Sequence, residues 1–104
     1  YAHTNHCLDV EQQPLEVLPL QSPGSPGRCD LVQASLEAEA GRIDVGAMKR
    51  MLSQHAPGLE QICRHAMKAG EYETAAASIA EPAARRMHVS YGPPCERRWK
   101  TYTF

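Results

Sequence analysis

Residues 74–91, TAAASIAEPAARRMHVSY, predict a β-hairpin, and this hairpin decides the fold of the chain. In this interpretation Thr74–Ala80 and Arg86–Tyr91 are the strands, and the EPAA sequence between them is the connection. After the Gly-Pro-Pro stop that follows Tyr91, residues 99–104 give an aromatic third strand. The sequence therefore predicts a meander of antiparallel strands at the C-terminal end.

The second strand of the hairpin has a clear period of two. Met87, Val89 and Tyr91 alternate with His88 and Ser90. Such alternation is typical of a half-buried strand.

Upstream of the hairpin the pattern changes to helical periodicity. The loop-like sequence of residues 21–27, QSPGSPG, precedes a predicted helix over Asp30–Ala40, with Asp30 as N-cap and Gln33 as its capping-box partner. A second helix is predicted from Asp44, its N-cap, to His55, and a short strand over Ile62–His65. We therefore expect one α+β domain over residues 1–104, with two helices followed by an antiparallel strand meander.

Composition excludes several classes of protein. The chain of 104 residues is 42% hydrophobic and carries a net charge of -1, so neither a disordered chain nor a general nucleic-acid binder is expected. It shows no signal peptide and no transmembrane stretch, and its four cysteines form no CxxC motif. These features favour reduced thiols in a cytoplasmic protein without a membrane partner.

Two groups of His and Cys residues are candidates for chemistry. His3, His6 and Cys7 are zinc-ligand types, but their spacing matches no closed zinc motif, and a polar loop is favoured. Cys63 and His65 would share one face of a strand, where a buried Cys beside a surface His is the simpler interpretation.

Two further residues are candidates for substrate chemistry. The carboxamide of Asn5 could stabilise an oxyanion, although Asn in a turn more often bonds its local backbone. Arg64 is a charge within a short apolar segment, where it could either clamp a carboxylate or form a structural ion pair. The residues alone leave both alternatives open.

Four short motifs, taken in order, resemble one enzyme family. They are HTNH at residues 3–6, QICRH at 61–65, EPAAR at 81–85 and GPPC at 92–95. This ordered set is similar to the C-terminal segment of the isopenicillin N acyltransferase-like enzymes, which belong to the N-terminal-nucleophile (Ntn) hydrolases. Gly70-Glu71 stands where the family's penicillin enzyme has a Ser-Arg pair, so the resemblance does not extend to penicillin-type substrates.

The resemblance implies a four-layer αββα sandwich and a precursor that cleaves itself to expose an N-terminal Cys. That Cys, in the upstream part of the same enzyme, would attack a small amide or acyl substrate without metal or organic cofactor. Asn5 matches the family's oxyanion-hole Asn, and Arg64 matches an Arg at its substrate site. A chain without the upstream nucleophile is then expected to be inactive by itself.

The alternative is a stand-alone α+β interaction module with no enzymatic role. A chain of 104 residues buries a modest core, and an incomplete sheet leaves unpaired strand edges. Such a module would form a homodimer that covers those edges.

Overall fold

The computed structural model describes residues 1–16, 24–58, 61–96 and 98–104. It contains two α-helices, one three-stranded antiparallel sheet and three short 3-10 turns. The helices and strands are α1 (Ser25–Ala38), α2 (Val45–Leu52), β1 (Ala76–Glu81), β2 (Arg86–Tyr91) and β3 (Trp99–Thr103). The sheet order β1-β2-β3 confirms the predicted α+β class and the predicted meander. Neither described helix is both long and apolar enough to cross a lipid bilayer.

Helix α1 begins within the sequence that was predicted to be a loop. Pro26 occupies its first turn, where the missing N–H of proline has no helical partner to lose. Asp30 and Gln33 therefore lie inside the helix, and the predicted capping box is wrong. Residues 21–23 of the predicted loop lie outside the described part of the chain.

Helix α2 starts where the sequence predicts. The side chain of Asp44 accepts a hydrogen bond from the backbone N–H of Ala47 at 2.6 Å, which is the expected N-cap bond. The helix ends at Leu52, three residues before the predicted end at His55, because Ser53 and Gln54 turn back onto the last carbonyls of the helix.

The predicted strand Ile62–His65 is not part of the sheet. The backbone N–H of Cys63 donates to the carbonyl of Gln54 at 2.9 Å, and that of Arg64 donates to the Thr74 hydroxyl at 2.9 Å. These bonds attach the segment to two loops instead of a neighbouring strand, so the strand prediction is wrong.

The hairpin matches its prediction closely. β1 and β2 pair from Ala76 opposite Tyr91 to Glu81 opposite Arg86. A 3-10 turn over Pro82–Ala84 connects them, and Arg85 then adopts a left-handed φ of 50° to re-enter the sheet. β3 extends the sheet on the other side of β2.

β2 is half-buried, as its alternation predicts, and its buried face is the one that carries the polar side chains. His88 and Ser90 are 7% and 0% exposed, whereas Tyr91 is 49% exposed. Helix α2 packs on the face that carries His88 and Ser90, since it contacts β1 and the turn before β3 on that side. The side chain of Lys49 on α2 lies over the Trp99 ring of β3, with 5.2 Å to the ring centroid.

Hydrogen bonds satisfy the buried histidine. One ring nitrogen of His88 lies 2.8 Å from the Glu81 carboxylate on β1, and the other lies 2.9 Å from the Thr101 hydroxyl on β3. His88 therefore links all three strands. The hydrogen bond from His88, with a further contribution from the Arg86 guanidinium, holds the pKa of Glu81 below its usual range.

The apolar core of the described residues is small. Its buried members are Ala2, Cys29, Ala47, Met51, Cys63 and Ile79. Met51 is the largest of these side chains apart from Ile79, and it projects from α2 toward α1. A few side chains therefore provide much of the packing between the helices and the sheet.

Replacing Met51 with Ala should destabilise the protein by about 2–5 kcal/mol, because a buried Met leaves a cavity when it is truncated. The same replacement at Met67, which is 83% exposed, should have little effect. Urea unfolding followed by far-UV circular dichroism checks both variants. Equal midpoints for the two variants would show that Met51 does not contribute to a packed core.

Replacing Glu81 with Gln should lower stability at neutral pH and have a shrinking effect as the solution becomes acidic. A carboxylate with a depressed pKa stabilises the fold while it is ionised, and this contribution is lost as pH falls through its folded-state pKa. Urea midpoints of the native protein and E81Q at about pH 7 and about pH 3 measure the difference. A gap of constant size at both pH values would contradict the role of the ionised carboxylate.

Candidate functional site

The HTNH segment is attached to the first turn of α1 by a cluster of side chains. The Thr4 hydroxyl donates to the backbone carbonyl of Ser25 at 2.9 Å, and His6 Nδ1 lies 3.0 Å from Ser25 Oγ. Ser25 Oγ is also 3.0 Å from Thr4 Oγ1, and Ser25 is only 1% exposed. The residues on both sides of Asn5 are thus fixed to the same buried serine.

Asn5 itself takes no part in this hydrogen-bonded cluster. Its side chain is exposed and makes no hydrogen bond with any described residue. It lines a groove of about 450 Å³ together with Tyr1, His3 and Gln12. A carboxamide N–H held by an ordered backbone and left without a partner can donate to a developing oxyanion.

The His-Cys group near the start of the chain does not assemble into a cluster. His6 directs Nδ1 toward Thr4 and Ser25, and Cys7 contributes its backbone carbonyl to Gln13. Among the described residues, His3, His6 and Cys7 are not within metal-binding distance of one another.

Arg64 lies beside a second guanidinium. Burial, and next the charge of Arg64, lower the pKa of Arg28, so the two side chains are close enough to repel. The Arg64 side chain is half-buried and forms no ion pair with any described residue. The Arg64 guanidinium is thus a candidate to bind an anionic ligand, since a carboxylate matches its planar set of donors.

Helix α1 connects the two predicted site residues. Ser25 in its first turn holds the loop that carries Asn5, and Arg28 one turn later lies near Arg64. No hydrogen bond joins Asn5 to Arg64 directly. Helix α1 thus holds the loop that carries Asn5, and its Arg28 is affected by the charge of Arg64.

The structure assembles a second group of reactive side chains, of which the sequence indicates only two members. Potential ligand atoms of His55, Cys63, His65 and Cys95 all lie within 4.8 Å of one another. His65 Nε2 is 3.9 Å from Cys63 Sγ and 3.0 Å from Cys95 Sγ. The spacing paired Cys63 with His65, but no local pattern marks His55 or Cys95, which arrive from the turn after α2 and from the turn before β3.

The chemical environment of Cys63 is unfavourable for a nucleophile. Its side chain is fully buried, and burial is the main cause of a raised thiol pKa. A backbone hydrogen bond from Cys95 opposes this increase, while the charge of Glu96 adds to it. A thiol with a raised pKa is poorly ionised at neutral pH and reacts slowly.

The described residues thus contain two places with chemical potential, the N-terminal end of α1 and the four-residue His-Cys group. Comparisons of the chain with known protein families, curated proteins and solved structures find no match. Function is therefore inferred from these residues and their geometry.

Replacing Ser25 with Ala should loosen the HTNH segment and cost about 1–3 kcal/mol, because buried partners of His6 and Thr4 are lost. Amide hydrogen exchange of residues 2–7 should accelerate more than that of β2. Ser78, which is exposed on β1, provides the matched control variant S78A. Unchanged exchange in residues 2–7 of S25A would show that Ser25 does not order the segment.

Proposed function

We propose that this chain is the C-terminal portion of an autoprocessed N-terminal-cysteine enzyme that hydrolyses or transfers acyl groups at amide bonds. The observation that supports it best is the state of Asn5. Its carboxamide has no hydrogen-bond partner among the described residues, while Thr4 and His6 on either side are bonded to buried Ser25. An oxyanion hole needs this combination of a free donor and a fixed backbone.

In the proposed reaction the nucleophile is the N-terminal Cys of the upstream part of the enzyme. Its α-amino group takes the thiol proton, and the sulfur attacks the carbonyl carbon of the amide. The resulting oxyanion accepts a hydrogen bond from Asn5 Nδ2. Collapse of the intermediate expels the amine, which takes its proton from the ammonium group and leaves a thioester. Water or a second amine then attacks the thioester and releases the product.

The guanidinium of Arg64 suits the recognition of a small substrate that carries a carboxylate. Arg presents a planar set of donors that matches carboxylate oxygens.

The sheet supports the assignment to a sandwich. Helix α2 covers one face of the sheet, and the other face carries half-buried Met87 and Val89 beside exposed Tyr91 and Tyr102. The Tyr91 and Tyr102 hydroxyls are 2.6 Å apart on this uncovered face. In an αββα arrangement a second sheet, supplied here by the upstream part of the enzyme, would pack against it.

The same surface would also allow the alternative, a stand-alone interaction module. β1 and β3 each have one edge without a partner among the described strands, and a second copy could cover an edge or the uncovered face. In that case the chain would form a stable homodimer and bind partners without catalysing a reaction.

Expression of the complete gene that encodes this segment distinguishes the two functions. Intact mass and N-terminal sequencing should reveal two chains, the larger of which begins with Cys and contains residues 1–104. The 104-residue chain alone should not hydrolyse amides. A single unprocessed product, together with a dimeric 104-residue chain in analytical ultracentrifugation, would instead establish the interaction module.

In the processed enzyme, N5A should lower kcat by about 10²–10³-fold with a small change in KM, because the donor acts in the transition state. R64K should mainly raise KM, by about 10-fold or more, since Lys cannot make the bidentate contact. Q12A is the matched control, because Gln12 lines the same groove as Asn5 and has no assigned role. Equal kinetics for N5A and Q12A would remove Asn5 from the oxyanion hole.

A further inference from the structure

The group formed by His55, Cys63, His65 and Cys95 has the composition of a closed metal site. Two thiolates and two imidazoles are a common ligand set for structural zinc, which is tetrahedral and takes four protein ligands. All four potential ligand atoms lie within 4.8 Å of one another. With Zn–S of about 2.3 Å and Zn–N of about 2.0–2.1 Å, tetrahedral ligand atoms would lie about 3.3–3.8 Å apart.

The two distances from His65 Nε2 to the cysteine sulfurs lie just below and just above that range. His65 Nε2 lies 3.0 Å from Cys95 Sγ and 3.9 Å from Cys63 Sγ. The ring of His55 lies 5.3 Å from that of His65, centroid to centroid, with a tilt of 35°. Movements of about 1 Å or less would complete a tetrahedron.

The carboxylate of Glu96 lies near His65, on the side of the ring that faces away from the two sulfurs. His65 presents Nε2 to the two sulfurs, and its other nitrogen, Nδ1, lies 3.9 Å from Glu96 Oε1. The second oxygen of Glu96 forms an ion pair with Arg98 at 2.8 Å. Metal-bound histidines usually donate their free N–H to such a carboxylate, which orients the ring and makes it a stronger ligand.

The four residues lie in separate parts of the chain, which a bound metal ion would hold together. Residues 53–75 contain no described helix or strand, and a connection of this length is uncommon in a small domain. His55, Cys63 and His65 belong to that connection, while Cys95 belongs to the 3-10 turn before β3. One ion bound to all four would attach the connection to the sheet.

We propose that His55, Cys63, His65 and Cys95 bind one zinc ion that holds the α2–β1 connection against the turn before β3. Two thiolates balance the charge of a divalent cation, so the filled site is neutral, as suits the full burial of Cys63. Each thiol releases one proton to solvent when the ion binds. Four protein ligands leave no open position for water, so the ion has a structural role and takes no part in amide chemistry.

Titration of the reduced, metal-free 104-residue chain with Co²⁺ tests the site, because tetrahedral thiolate-bound Co²⁺ absorbs visible light. One equivalent should produce these bands, and Zn²⁺ should displace them. C63S should weaken binding more than about 100-fold, since one ligand is lost, and E96Q should weaken it about 10–100-fold. C29S is the matched control, because Cys29 is also a buried thiol and lies outside the group.

A second variant keeps the test decisive if C63S does not fold. His55 is exposed, so H55A removes a ligand without opening a cavity in the core, and it should weaken Co²⁺ binding to a similar degree as C63S. In the native chain Zn²⁺ should also protect Cys95, but not Cys7, from alkylation, since both of these thiols are partly exposed without metal. Absence of tetrahedral bands, or equal affinities for the native chain, H55A and C29S, would overturn the site. These readouts do not depend on amide cleavage, so they stand or fail separately from the proposed function.

Discussion

Hydrogen bonds between buried polar side chains join the elements of this protein, because its apolar core is too small to do so alone. The buried apolar residues of the described chain include no Leu and no aromatic side chain. His88 instead bonds Glu81 and Thr101 across the three strands. Ser25 does the same for the N-terminal segment and α1. Buried polar groups of this kind are specific, since each requires its own partner in place.

This dependence on polar contacts explains which parts of the fold could be predicted from sequence. The hairpin and the cap of α2 are local features, in which turn residues and a single Asp determine the backbone. The alternation in β2 predicts a half-buried strand, but the burial of the face with His88 depends on partners on β1 and β3 that the sequence does not reveal. The prediction of a strand at Ile62–His65 was wrong for a similar reason, since the hydrogen-bond partners of this segment are atoms of loops distant in sequence.

The candidate sites follow the same division. Asn5 and Arg64 were selected because short motifs surround them, and the structure adds their common neighbour, α1. The His-Cys group joins three separate parts of the chain, so no spacing rule could identify all four members. A site assembled by tertiary contacts becomes visible only when the path of the backbone is known.

The way in which Arg64 is held has a consequence for how such a protein could diversify. Its backbone N–H bonds the Thr74 hydroxyl, and its carbonyl accepts from the Thr74 N–H at 3.0 Å. These two hydrogen bonds join Arg64 to Thr74, so residues 66–73 lie in a loop whose two ends are held together. Insertions and deletions in that loop would leave the position of Arg64 unchanged. Related proteins could therefore vary the residues around Arg64 while its positive charge stays in place.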